Sequence, residues 1–212
     1  MKVLIFAGGD IENYSFYKKY INQSDYIICA DRGIEHTKKL GVNPSIIIGD
    51  LDSASKNTIE FYKNKNILFK TFSSKKDKTD TELALDYAIN KGAKEIFIAG
   101  GIGNRLDHTL GNIHLLYYSL QRNVRTKIIN EYNEIILIDN EVTIYGQEND
   151  IVSLIPFSME VKGIYTKGLY YALKGENLKS GSSLGISNVM TTSQAHISIK
   201  SGLLLVIKSK EI

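Results

Sequence analysis

From its start to about Asn130 the chain alternates two kinds of segment, and this alternation restricts the possible folds more than any other feature. Short runs rich in Ile, Val and Phe recur at Val3 to Phe6, Tyr26 to Cys29, Ile46 to Ile48, Ile67 to Phe69, Ile96 to Ile98 and Lys127 to Ile129, with longer amphipathic stretches between them. The clearest of those stretches are Glu82 to Asn90 and Leu106 to Gln121, where Leu106, Leu110, Ile113, Tyr117 and Leu120 recur at helical spacing. Thr79-x-x-Glu82 is a capping-box pattern that starts the first of them. Strand and helix in strict succession imply right-handed crossovers, and hence a mostly parallel, Rossmann-like sheet covered on both faces. After about Glu131 the period changes. Ile135 to Ile138, Val142 to Tyr145, Val152 to Ile155, Val161 to Tyr165, Leu169 to Leu173, Ser187 to Thr191, His196 to Ile199 and Leu203 to Ile207 are short and separated by turn residues, and no helical stripe persists. This spacing predicts a β-sandwich. The fold class is thus α/β plus all-β, with an α/β domain over 1–130 and a β-sandwich domain over 131–212.

Composition removes several classes of function. A chain of 212 residues, 43% hydrophobic with 17 Gly and 2 Pro, can bury a core unaided, and no run approaches the roughly 18 apolar residues of a membrane span. The opening MKVLIFAGGD reads as a first strand and lacks the long apolar region of a secretion signal. A formal charge of +3, scattered without a basic stripe, gives nucleic-acid binding little support. Cys29 is the only cysteine, so neither an internal disulfide nor a thiolate metal cluster can form, and its apolar setting marks it as an inert core thiol. These features predict a cytoplasmic protein.

The acidic residues of the first half fall where strand geometry gives them meaning. Asp10 follows the first strand, Asp31 the second, Asp50 and Asp52 the third, Asp77 and Asp80 the fourth, and Asp107 the glycine-rich turn after the fifth. In a parallel sheet all these turns emerge at one edge, where open α/β folds bind ligands. Two like charges about 5 Å apart repel by roughly 3 kcal/mol at an effective dielectric near 20, so such a gathering calls for a cation. With no thiolate and only four dispersed histidines, the donors are oxygens, which favour Mg²⁺. Asp50-Leu51-Asp52 on an extended segment would aim both carboxylates to one side, although Asp52 before Ser-Ala-Ser also reads as a helix cap.

Two further segments suit a phosphate. Lys75-Lys76-Asp77-Lys78-Thr79-Asp80 mixes lysines and aspartates ahead of a helix N-terminus, and Gly100-Gly101-Ile102-Gly103-Asn104-Arg105-Leu106-Asp107-His108 opens the longest helix with Arg105 free for a bidentate contact. The latter is not a dinucleotide fingerprint, because Leu106 stands where the third glycine is needed. Gly181-x-Ser183-x-Gly185 lies in a turn between strands and is not a nucleophile elbow. Tyr117-Tyr118 and Tyr170-Tyr171 read as core or interface packing, His108 as a candidate for the site beside Asp107, and His36, His114 and His196 as surface or satisfied core residues.

Taken together, these segments resemble the thiamin pyrophosphokinase family over essentially the whole chain. Gly49-Asp50-Leu51-Asp52-Ser53 is similar to its first acidic box, Asp77-x-Thr79-Asp80 to its second, Gly100 to His108 with Asn112-Ile113 to its glycine-rich segment, and Ser187-Asn188 to an element of its second domain. The resemblance implies an ATP- and Mg²⁺-binding α/β domain, a thiamine-binding and dimerising β-sandwich, and a homodimer. The implied reaction moves a diphosphate from ATP to the hydroxyethyl oxygen of thiamine and leaves AMP. It implies Asp50, Asp52 and one or both of Asp77 and Asp80 as metal ligands, and Asp31, Asp77, Lys78, Thr79 and Arg105 as ATP contacts. Asp107, Ser187 and Asn188 would contact thiamine, and Asp50, Asp52, Asp80, Arg105 and Asp107 would form the catalytic set. Asn104 and Val189 stand where the family commonly has glycine and glutamate. Two other readings are a metal-dependent glycosyltransferase built on Asp50-x-Asp52 and a non-catalytic thiamine or nucleotide sensor.

Overall fold

The computed structural model describes residues 1–73 and 76–210, in two compact units, Met1–Glu131 and Tyr132–Ile212. In the first unit six strands run parallel: β1 (Lys2–Phe6), β2 (Tyr26–Ala30), β3 (Ile46–Gly49), β4 (Leu68–Thr71), β5 (Glu95–Ala99) and β6 (Arg125–Ile129). Their order is β6-β5-β1-β2-β3-β4. The helices are α1 (Lys18–Gln23), α2 (Gly33–Leu40), α3 (Lys56–Lys63), α4 (Asp80–Asn90) and α5 (Leu106–Leu120). All six strands expected in this half are present.

Strand alternation divides the apolar side chains between two faces. Leu4, Phe6, Cys29, Ile47, Phe97, Ala99 and Ile129 join Tyr17, Tyr20, Ile34 and Tyr62 in one buried cluster. Ile5, Ile28, Ile48 and Ile98 alternate with that set and are also fully buried; α4 contacts β1, β2 and β3. Each such isoleucine contributes about 1.5–3 kcal/mol by leaving water. Cys29 is completely buried, and burial pushes its thiol up to about 12 against a weaker opposing bond from Thr37, consistent with an inert core role.

Two local expectations need correcting. The apolar stripe read along α5 is largely its exposed face: Leu106 is 68% and Leu110 50% exposed, whereas Asn112, Leu116 and Ser119 are buried. Periodicity detects an apolar face but not which face the sheet receives. In addition, of the core and interface readings of Tyr170 and Tyr171 the core one fails, because they are 68% and 65% exposed.

The second unit is a sandwich of two antiparallel layers. One runs β12 (Asn188–Val189), β9 (Ile151–Pro156), β14 (Leu204–Ser209), β7 (Asn133–Ile138), and the other β11 (Lys174–Lys179), β10 (Glu160–Lys167), β13 (Gln194–Ser198), β8 (Glu141–Tyr145). Its core includes Ile136, Leu154, Val161, Ile164, Met190, Ile197 and Val206. Residues 169–173, expected as a strand, form instead a loop with a single bridge from Leu169 to Met190. The strand lies at Lys174–Lys179, on the edge beside β10. An edge strand with one buried side chain, Leu178, has too little apolar content to be read from periodicity.

Candidate active site

In the first unit the order reverses between β1 and β5, and a crevice opens there beyond the carboxyl ends of the strands. The backbones after these two strands lock together: Ala7 N–H donates to Ala99 (2.8 Å) and Gly9 N–H to Gly100 (2.9 Å). Side chains have no room at this crossing. A Cβ on Gly9 would lie 2.5 Å from the Gly100 oxygen, and one on Gly100, at φ 65°, 2.5 Å from that of Ala7. The result is a cavity of about 490 Å³ walled by Ala7 to Asp10, by Asp31, Arg32 and Ser53, by Thr79 to Thr81, and by the glycine-rich turn with Arg105, His108, Thr109 and Asn112. This volume suits a nucleotide-sized ligand.

Peptide groups and helix ends give part of this cavity a chemistry suited to an anion. α5 begins at Leu106, and its N-cap residue Arg105 makes no side-chain cap bond, which leaves part of its positive end available to a ligand. Asn112, buried beneath the turn, donates to the Gly101 carbonyl (2.8 Å), and Thr109 Oγ1 accepts from Gly103 N–H (3.2 Å). At α4 the Thr79 half of the expected capping box is present, with Thr79 Oγ1 accepting from Glu82 N–H at 3.2 Å, while the Glu82 carboxylate pairs with Lys78.

One end of the crevice is acidic. Carboxylate oxygens of Asp31, Asp50 and Asp52 lie within 4.8 Å of one another. Asp50-Leu51-Asp52 is not extended as the sequence suggested: Leu51 has φ 63°, an uncommon value for a bulky residue, and its side chain packs on the core cluster while its neighbours gather above. Helix α3 is capped by Ser55, which accepts from Thr58 N–H, so Asp52 is not spent as a cap. Asp31 is also left-handed (φ 46°), and its buried Oδ1 has no hydrogen-bond partner among the described residues. An orphaned buried carboxylate oxygen beside two other carboxylates, with no His or Cys among them, fits a hard divalent cation.

Lys76 bridges this cluster to α4, its Nζ 3.1 Å from Asp50 and 2.6 Å from Asp80. Burial raises the Asp80 pKa; Lys76 opposes this, while Asp50 and Asp31 add to it, and the net direction is upward. At Asp50 burial pulls the same way, but hydrogen bonds from Lys76 and the Asp52 amide prevail and hold the carboxyl below its usual range.

The remaining expected residues divide. Arg105 pairs with Asp107 (2.6 Å) at the mouth of the cavity, both exposed, and its hydrogen bond holds Asp107 below the usual carboxylate range. Asp77 is exposed and outside the cavity wall. Lys78 turns along α4 to Glu82 (3.3 Å) and Asp86, away from the cavity wall. Lys75 lies outside the described residues. Sequence reasoning gave Lys76, Arg32 and Asn104 no individual roles: Asp10 accepts from Arg32 (2.7 Å) and from Asn104 (3.1 Å), so the asparagine at the common glycine position ties two loops together. Their placement between acidic loops was the only available signal.

In the second unit Ser187 has φ 59° and its amide donates to Ser153 Oγ (3.1 Å). Asn188 is buried and largely committed internally: Oδ1 accepts from the Tyr171 and Val189 amides (2.9 Å each) and Nδ2 donates to the Tyr171 carbonyl (2.7 Å).

A parallel sheet with a glycine-walled crevice, an open helix N-terminus and clustered carboxylates defines a nucleotide-using phosphoryl-transfer enzyme. Residues 17–128 match the model of the thiamin pyrophosphokinase catalytic domain, and residues 135–204 that of the thiamin pyrophosphokinase vitamin B1 binding domain. The thiamine pyrophosphokinase of Bacillus subtilis is 32% identical over 209 residues, covering 98% of each chain. A crystal structure of thiamine pyrophosphokinase from Bacillus subtilis superposes with a TM-score of 0.92 at 31% identity over the whole of both chains. One of thiamin pyrophosphokinase from Geobacillus thermodenitrificans gives 0.86 at 29%, covering 100% of this chain and 98% of that one. The chain belongs to the thiamin pyrophosphokinase family and is a diphosphotransferase. The glycosyltransferase and sensor readings are not favoured. No helix among the described residues is long and apolar enough to cross a membrane.

Proposed function

We propose that the crevice binds ATP with Mg²⁺ and transfers the β,γ-diphosphate to the hydroxyethyl oxygen of thiamine. That oxygen forms a bond to the β-phosphorus as the bond to the α-phosphate oxygen breaks, AMP leaves and the hydroxyl proton is lost. The observation that carries the reading is the unpartnered buried oxygen of Asp31 beside Asp50 and Asp52, next to the glycine-lined cavity. Asp31, Asp50 and Asp52 would hold the metal, with Asp80 closing the set once Lys76 moves aside. When bound, Mg²⁺ neutralises charge on the transferring phosphates and fixes their geometry.

The protein's own groups supply placement. Gly9, Gly100 and the first amides of α5 cradle phosphate, while Arg105, exposed and free to turn, takes up charge as it develops. Asp107 is then released from Arg105, whose hydrogen bond holds its pKa down, and is free to orient the thiamine hydroxyl or to accept its proton. Asp77, exposed and outside the cavity wall, and Lys78, turned to Asp86, have supporting parts, Asp77 as an outer ligand and Lys78 as a phosphate contact only after leaving Asp86. The match of residues 135–204 to the vitamin B1 binding domain supports thiamine contacts from Ser187 and Asn188, with Asn188 acting through the loop it clamps. The family supports a homodimer, an α/β catalytic domain over 1–130, a thiamine-binding and dimerising sandwich over 131–212, and work in the cytoplasm.

Incubation with ATP, MgCl₂ and thiamine, followed by chromatography, tests this. AMP and thiamine diphosphate are expected in equal amounts, and ADP as the nucleotide product would refute it. Asp50→Asn should abolish turnover, which a sensor would not have.

A further inference from the structure

His36 lies in α2, is only 4% exposed, and belongs to none of the motifs above. Its Nε2 is 2.8 Å from the carbonyl oxygen of Gly9, and its Nδ1 is 2.9 Å from the hydroxyl of Tyr14. A carbonyl can only accept, so Nε2 carries the proton. Nδ1 is then a lone pair and accepts from Tyr14, which makes a neutral imidazole with both nitrogens used. Burial lowers its pKa, with Arg32 and Lys39 adding to the effect and the Gly9 carbonyl and Asp10 opposing it.

The partner residue makes this more than core filling. Gly9 sits in the cavity wall, its own amide is tied to Gly100, and its neighbour Asp10 is held by Arg32 and Asn104. Without a side chain, the peptide at Gly9 is held only by its close backbone neighbours, Gly100 and Ile102, and by its hydrogen bonds. His36 binds it from below while Gly100 binds it from the side.

We propose that His36 is a positioning residue for the nucleotide, acting through the Gly9 carbonyl to hold the β1 loop in its ligand-receiving form, with Tyr14 fixing the imidazole tautomer and ring orientation. This rests on the nucleotide reading of the crevice. His36 touches no reacting atom, so its effect falls on nucleotide affinity and leaves thiamine affinity alone.

The test is titration of the full-length protein with α,β-methylene ATP in MgCl₂ and, separately, with thiamine, alongside thermal unfolding. The proteins are the parent, His36→Leu, His36→Gln and Tyr14→Phe. His36→Leu should bind the nucleotide analogue about tenfold more weakly, the scale of one lost buried hydrogen bond, with thiamine affinity unchanged. His36→Gln, whose amide can reach the Gly9 carbonyl, should recover most of that loss, and Tyr14→Phe should fall between. Parental analogue affinity in His36→Leu, equal losses in the Leu and Gln variants, or equal losses for both ligands would overturn the proposal. If His36→Leu does not fold, Tyr14→Phe decides: weakened analogue binding supports the proposal and parental binding overturns it. A parent that fails to bind the analogue refutes the nucleotide reading itself, and the proposal with it.

Discussion

Replacing Lys76 by Met probes the electrostatic balance on which the site depends. Lys76 Nζ lies 3.1 Å from Asp50 and 2.6 Å from Asp80, and all three side chains are between 16% and 18% exposed. At an effective dielectric near 20, unit charges 3 Å apart attract by about 5 kcal/mol and two carboxylates 5 Å apart repel by about 3 kcal/mol. Partial protonation of Asp80, already the more basic carboxyl, relieves some of the repulsion left when the ammonium is removed. The expected net loss is about 2 kcal/mol at pH 8 without metal, a fall of roughly 6 °C in Tm for a chain of this size. Magnesium competes with Lys76 for the same oxygens, so the variant should bind it at least about tenfold more tightly, and excess MgCl₂ should restore most of the lost Tm. Unfolding in EDTA and in MgCl₂, with calorimetric titration of Mg²⁺, reads both effects. A deficit that persists in MgCl₂, or parental Mg²⁺ affinity, would refute the view that Lys76 is a counter-ion standing in for the metal.

Other expectations follow from the same geometry. Asp80→Asn should abolish turnover yet stabilise the metal-free protein; because the folded pKa of Asp80 is raised, its ionisation costs stability as pH climbs from the ordinary carboxylate range near 3.9 through that raised value. The Tm difference between Asp80→Asn and the parent should therefore grow across that window and level off at neutral pH, and a pH-independent difference would contradict the assignment. Arg105→Ala removes an exposed pair and should leave Tm unchanged while lowering kcat by about 10²–10³; unchanged turnover in steady-state assays would remove Arg105 from the mechanism. Gly33→Ala puts a Cβ 1.9 Å from the Phe6 carbonyl oxygen, so α2 must move off β1. A loss of about 3 kcal/mol or more is expected in chemical denaturation, and parental stability would show that the helix adjusts freely.

Much of the fold was legible in the sequence because period is a local property. β-branched runs such as Ile46–Ile48 and amphipathic stretches such as Glu82–Asn90 identify themselves wherever they pack, and handed crossovers then leave few topologies. The edge strand Lys174–Lys179 and the exposed face of α5 were not legible, because what they meet is set by elements distant in the chain. The site divides in the same way. The order of acidic loops and their common edge follow from strand direction alone, so Asp31, Asp50 and Asp80 were placed near one another before any coordinates.

Only tertiary structure decided which of several nearby groups enter the cluster. Left-handed turns at Asp31 and Leu51 bring Asp31 to Asp50 and Asp52, while Asp86 draws Lys78 away and leaves Lys76 between Asp50 and Asp80. Sequence determined the residue types and the edge they occupy, since both depend on chain direction and spacing. Their final partners were decided in three dimensions, because charge pairing and burial fall off over a few ångströms and take no account of separation along the chain.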